Sequence, residues 1–145
     1  MPSPRILIVD DSALLRSALC GLLSSAGNYE IIQAEDGKNA IVVAEQQRPD
    51  VIVMDFAMPA MDGLTATREL RKRMPDVPVV MYTMHYTPQL VADANSAGVK
   101  KLISKSEGGD LIAAVRDLLP PRDDANPKPA MNSQFAAVPE PRWAS

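Results

Sequence analysis

Val51-Ile52-Val53-Met54-Asp55-Phe56-Ala57-Met58-Pro59-Ala60-Met61-Asp62-Gly63 reads as a strand, a stiffened loop and the start of a helix. An apolar run this short and this rich in β-branched residues suits a strand buried on both faces, the habit of parallel sheets. Pro59 stiffens the loop, and Asp62-Gly63 supplies turn and helix-entry chemistry. Asp55 is thereby held at a strand tip beside backbone amides. The same arrangement recurs in both directions along the chain. Asp10 and Asp11 follow Ile6-Leu7-Ile8-Val9, Thr83 follows Val79-Val80-Met81-Tyr82, and Lys105 comes shortly after Leu102-Ile103. Ligands of open α/β sheets bind at the C-terminal ends of the strands. Three carboxylates, a hydroxyl and an ammonium are therefore expected at one edge.

Helical spacing fills the gaps between these strands. Ser12 is placed to cap a helix whose apolar residues Leu15, Ala18, Leu19, Leu22, Leu23 and Ala26 recur every three or four positions, ending at Gly27-Asn28. Tyr29 to Ala34 alternates as a strand, and Asp36-Gly37 opens a helix to about Gln47 with Ala40, Ile41 and Ala44 on one face. Gly63 to Met74 predicts a third helix with Leu64, Ala66, Thr67 and Leu70 inward and Arg68, Arg71, Lys72 and Arg73 on a solvated face. A helix from about Pro88 to Ala97 stops at Gly98. A strand over Lys100 to Ile103 and a helix over Gly109 to Leu119 complete five βα units. Right-handed crossovers then give an α/β fold, a three-layer α/β/α sandwich around a five-stranded parallel sheet.

Residues 1–119 carry this pattern. Residues 120–145 do not: prolines spread among small and polar residues leave no apolar period, which predicts a disordered tail with Phe135 and Trp143 as isolated aromatics. At 145 residues the chain has material for one core. A net charge of −3 supplies no basic field for nucleic acid. The single cysteine, Cys20, excludes an internal disulfide and a Cys metal cluster, and is expected as a small buried helix residue. No stretch resembles a signal peptide or a membrane span, so a cytoplasmic protein is expected.

Asp10, Asp11 and Asp55 close together would raise one another's pKa unless a cation sat among them. A hard divalent ion with oxygen ligands, Mg²⁺ or Mn²⁺, suits such a set. Lys105 adds a point charge for a phosphoryl oxygen, and Thr83 a hydroxyl donor for another. With one carboxylate as nucleophile, these parts suit phosphoryl transfer.

Taken in order, Ile-Leu-Ile-Val-Asp-Asp-Ser, then Asp55-Phe-Ala-Met-Pro-Ala-Met-Asp-Gly63, then Val-Val-Met-Tyr-Thr83, then Gly98 and Lys105, the chain resembles the receiver domain of two-component response regulators. The resemblance covers about Arg5 to Leu119. It implies a sheet in the order 2-1-3-4-5 and Asp55 as acceptor of a phosphoryl group from a histidine kinase or phosphotransfer protein. It also implies Mg²⁺ held by Asp10, Asp11, Asp55 and the backbone carbonyl of Ala57, with Thr83 and Lys105 contacting the phosphoryl group. A helix 4, strand 5 and helix 5 face, including Lys100, Lys101, Leu102 and Leu111, would meet a downstream protein.

Three residues depart from the family pattern. Ser106 follows Lys105 where the family has a proline in a cis peptide, so a trans bond with a reshaped loop, or strain, is expected, with the reach of Lys105 altered. Leu102 stands where an aromatic switch residue is usual, and Tyr82 or Tyr86 are candidate substitutes. Met84 follows Thr83 in place of a small residue and is expected to crowd Asp55. His85, the only histidine, is a candidate to overhang the site and affect water access. The expectation is a stand-alone switch that is not an enzyme. The alternatives are a receiver of a DNA-binding regulator without its output domain, and an interaction module independent of phosphorylation. A haloacid-dehalogenase-type phosphatase is disfavoured, because its Asp-x-Asp motif is absent from the adjacent pair Asp10-Asp11.

Overall fold

Strand and helix alternate throughout the computed structural model, which describes residues 3–106 and 108–119. The order is β1 (Arg5–Val9), α1 (Ala13–Ala26), β2 (Glu30–Ala34), α2 (Gly37–Gln47), β3 (Val51–Asp55), α3 (Gly63–Arg73), β4 (Val79–Thr83), α4 (Pro88–Ala97), β5 (Lys101–Ser104) and α5 (Gly108–Leu118). The last strand and helix sit within one residue of their expected positions. The expected tail, 120–145, lies outside the described residues.

All neighbouring strands are parallel, and the sheet order is β2-β1-β3-β4-β5. The chain moves from β1 to one side, then crosses back to place β3 on the other. That reversal opens a crevice above the C-terminal ends of β1 and β3, the topological switch point where such sheets bind ligands. Asp10-Asp11 and Asp55 stand on the two strands that flank it.

Each side of the sheet has its own core. Leu7, Val9, Ile52, Met54, Val79 and Met81 pack with α2, α3 and α4 residues such as Ala40, Ala44, Leu70, Leu90 and Ala94. Ile6, Ile8, Val51, Val53, Val80 and Tyr82 pack with Leu19 and Leu23 of α1 and Leu111, Ala114 and Val115 of α5. Strand alternation of period two accounts for this division. The central strands β3 and β4 are buried at every residue, whereas β5 at the edge is only partly covered. Ser12, Asp36, Asp62 and Thr87 cap α1 to α4, each accepting a backbone N–H three residues on. Gly98 closes α4 at φ 94°, a left-handed turn that favours glycine.

α1 differs from its sequence reading. Leu15 and Ala18 are exposed, and Leu14 is 81% exposed. Burial begins a turn later, at Leu19 and Leu23, the α1 residues that join the core shared with α5. Cys20 is only partly buried, although burial is enough to push its thiol pKa up. The expectation of a small buried cysteine is corrected to a half-buried one.

Leu23 is fully buried, so Leu23→Ala should cost about 2–5 kcal/mol in chemical denaturation. Leu14→Ala should change stability by less than about 0.5 kcal/mol. Equal losses from the two would contradict this placement of α1.

Candidate functional site

The acids and the lysine expected at the strand ends do converge. Carboxylate oxygens of Asp10, Asp11 and Asp55 lie within 4.8 Å of one another. Asp10 is 1% exposed and Asp55 6%, while Asp11 is exposed at the mouth. The buried Lys105 ammonium lies 3.1 Å from Asp55 Oδ1 and 3.2 Å from Asp10 Oδ2. One ammonium thus serves two buried carboxylates. The reach of Lys105 is not impaired by the serine that follows it: no peptide bond among the described residues is cis, and the lysine still spans the site.

Local chain chemistry holds each group in place. The other Asp10 oxygen, Oδ1, accepts the Ser12 N–H at 2.9 Å, which turns the chain into α1. Arg16, one turn into that helix, donates to the Asp10 carbonyl at 2.6 Å and to Gln33 Oε1 at 3.2 Å, tying the loop to β2. Sequence reasoning missed this arginine, since a lone base on a helix ordinarily reads as solvated. Gly63 donates its N–H to the Phe56 carbonyl at 2.8 Å. A Cβ at Gly63 would overlap the Asp55 carbonyl oxygen, so this position needs glycine for close approach as well as for helix entry.

Thr83 is 1% exposed, and its Oγ1 accepts the His85 backbone N–H at 2.9 Å. Accepting that bond leaves the threonine hydroxyl proton free to donate to another acceptor. His85 itself is exposed and joins the site through its backbone. Met84 is 71% exposed and extends into solvent, so the expected crowding of Asp55 is corrected. Leu102 packs on the α2–α3–α4 side of the sheet. Exposed Tyr86 and Leu102 line one depression of about 440 Å³ with Ile103, Ser104 and Asp110. Tyr82 is 6% exposed, and its hydroxyl donates to the Lys105 carbonyl at 3.2 Å.

Charge and burial set the protonation tendencies. Burial, and next the neighbouring Asp10 charge, raise the Asp55 pKa above its ordinary value; Lys105 opposes this without cancelling it. Burial alone would lower the Lys105 pKa, but Asp55 and then Asp10 outweigh it and the net shift is upward. Burial also raises the Tyr82 phenol, keeping it a donor. The surplus of hard oxygen donors over the single ammonium fits a divalent cation such as Mg²⁺. Of the three acids only Asp11 lines the open cleft of about 670 Å³ beside this edge, together with Ala13, Gly37, Pro59, Ala60 and Met61.

A raised carboxyl pKa means the folded state binds that proton more readily than the unfolded state. Stability is therefore lost as pH rises from the unfolded value, about 3.9, through the folded one. Asp55→Asn should accordingly raise the thermal midpoint by a few degrees at pH 7 in chelator. The gain should disappear on acidification below the unfolded pKa. A drop in the midpoint at pH 7 would contradict this electrostatic reading.

Residues 6–116 match the family described as the response regulator receiver domain. The transcriptional regulatory protein DegU of Brevibacillus brevis is 36% identical over 114 residues, covering 77% of this chain and 48% of that protein. A protein-glutamate methylesterase/protein-glutamine glutaminase of Pseudomonas syringae pv. syringae is 39% identical over 105 residues, 70% of this chain and 27% of that protein. Among solved structures, the chemotaxis protein CheY4 of Vibrio cholerae has a TM-score of 0.75 at 28% identity, covering 81% of this chain and all 100% of that one. A LuxR-family two-component response regulator from Aurantimonas has a TM-score of 0.77 at 27% identity, with 81% and 85% covered. The chain spans about half the length of its DegU relative and less of the methylesterases. The five parallel strands in the order 2-1-3-4-5, the acidic cluster at their switch point and the match over residues 6–116 agree: this chain belongs to the response regulator receiver domains of two-component signalling.

Proposed function

We propose that this receiver is a phosphorylation-controlled protein switch with Asp55 as the phosphoacceptor. The observation that carries the reading is the Lys105 ammonium held 3.1 Å from Asp55 and 3.2 Å from Asp10, with Thr83 buried at the end of the adjacent strand. In the transfer, an Asp55 carboxylate oxygen forms a bond to phosphorus. The bond from phosphorus to the donor's imidazole nitrogen breaks, and that nitrogen keeps the electron pair. Lys105 and the Thr83 hydroxyl meet the phosphoryl oxygens as charge spreads over them. Asp10, Asp11, Asp55 and the Ala57 carbonyl would hold Mg²⁺, or Mn²⁺ in its place. When bound, the ion supplies positive charge opposite the phosphoryl oxygens.

The donor is a histidine kinase or histidine phosphotransfer protein, and the product is a changed surface rather than released chemistry. The face built from α4, β5 and α5 is the output surface, without Leu111, which the sequence placed on it but which is fully buried against the sheet. The depression shared by Tyr86 and Leu102 supports this, since it places an exposed aromatic beside the position where the family carries its switch residue. The output is another protein, without direct nucleic-acid contact, in the cytoplasm. No described helix is long and apolar enough to cross a membrane.

Two other readings have their own support. The DegU relative is named a transcriptional regulator, which favours a receiver that governs a DNA-binding domain. Leu102 and Ser106 favour an interaction module that works without phosphorylation. Incubation with Mg²⁺ and acetyl phosphate, followed by intact-mass measurement, separates that last reading from the switch. The wild type should gain one phosphoryl group and Asp55→Asn none. An unmodified wild type, with no Asp55-dependent spectral change on adding beryllofluoride, would sink the switch.

A further inference from the structure

We propose that Tyr82 is a positioning residue that clamps Lys105 onto the phosphoacceptor site, in a chain where Ser106 rather than a proline follows the lysine. The inference rests on the phosphoacceptor reading for its effect on chemistry, and on geometry alone for the clamp itself.

Strand alternation brings the parts together. Tyr82 lies two residues past Val80 on the α1–α5 side of the sheet, and Ile103, two before Lys105, packs on that same side. In the β3–β4 register Tyr82 stands opposite Asp55, and in the β4–β5 register it stands opposite Ile103. Its ring therefore rises on the α1–α5 face from β4, the strand that lies between the acceptor strand and the lysine strand. The Lys105 Nζ lies 6.0 Å from the ring centroid, at the outer limit of cation–π range.

Both backbone polar groups of Lys105 are bound to consecutive residues of β4. The Lys105 N–H donates to the Thr83 carbonyl at 2.7 Å, and the Lys105 carbonyl accepts the Tyr82 hydroxyl at 3.2 Å. The first bond continues the sheet ladder and is available to any residue at position 83. The second exists only because position 82 carries a phenol. Ser106, free of the ring that would fix its backbone, contributes a lesser tie: its hydroxyl lies 2.9 Å from Ser104 Oγ, which also accepts the Ser106 N–H at 3.3 Å. A lysine held at its amide alone would pivot about β5. With its carbonyl also held, the side chain leaves the backbone in the direction that ends between Asp55 and Asp10.

The test compares wild type, Tyr82→Phe, Lys105→Ala and the double variant. Phenylalanine keeps the buried ring and removes only the hydroxyl. With acetyl phosphate and Mg²⁺, Tyr82→Phe should slow Asp55 phosphorylation by about fivefold, the rate equivalent of a hydrogen bond worth about 1 kcal/mol. In the Lys105→Ala background the same change should have no further effect. The second readout is independent of phosphorylation. In protein labelled with ¹⁵N-lysine, the Lys105 ammonium signal should be sharp and shielded from water in the wild type, and displaced and exchange-broadened in Tyr82→Phe. Equal slowing in both backgrounds, or an unmoved Lys105 signal, overturns the clamp. A wild type that acquires no phosphoryl group overturns the function proposed above and leaves the lysine signal to decide the clamp.

Discussion

Two buried carboxylates share one buried ammonium at the C-terminal edge of the sheet, and the rest of the molecule is arranged to make that tolerable. Burying one charge without a partner is costly, and burying two of the same sign beside each other is more so. Lys105 meets Asp55 and Asp10 together, yet the Asp55 pKa remains raised and a negative charge is left over. A site with an unpaired buried charge is one that gains by binding positive charge. The unfavourable apo electrostatics and the capacity for a divalent ion have the same origin.

Rigid surroundings keep this arrangement from relaxing. Val51, Ile52 and Met54 below Asp55 and Ile6, Leu7 and Ile8 below Asp10 are fully buried, so neither strand can slide to carry its carboxylate into water. The loops above are held by Arg16 on the Asp10 carbonyl, by the Gly63 N–H on the Phe56 carbonyl and by Asp62 capping α3. The β5 side has a partly exposed edge strand and a serine where the family has a proline. Contacts with β4 through Thr83 and Tyr82 supply the hold there. The site thus rests on a stiff centre, β1 and β3, and on a flank whose lysine is tied by two further hydrogen bonds to the strand that β5 pairs with.

Binary pattern made the fold legible: β-branched runs for central strands, spacings of three and four for helices, and Ser12, Asp36, Asp62 and Gly98 as start and stop signals. It erred on α1, where Leu15 and Ala18 continue the apolar stripe but are exposed in the fold. A stripe reports which residues could be buried, and the extent of the neighbouring layer decides which are. The site was legible as a set of residue types at strand ends. Its interactions were not, because a hydrogen bond between positions 82 and 105 has no periodic trace. Likewise Met84 looked poised to crowd Asp55 but is largely exposed, and no sequence pattern announced that the His85 amide would donate to Thr83 Oγ1.

The amino-acid sequence by itself determined the α/β class, the five βα units and the identity of the acids, hydroxyl and lysine at the strand ends. Local periodicity and strand-end chemistry are properties of neighbouring residues. Only the tertiary structure decided that one lysine would serve two carboxylates, that Ser106 would leave its reach intact, and that Tyr82 would hold its carbonyl. Those outcomes depend on the register of β3, β4 and β5, which brings residues far apart in the chain within hydrogen-bond distance.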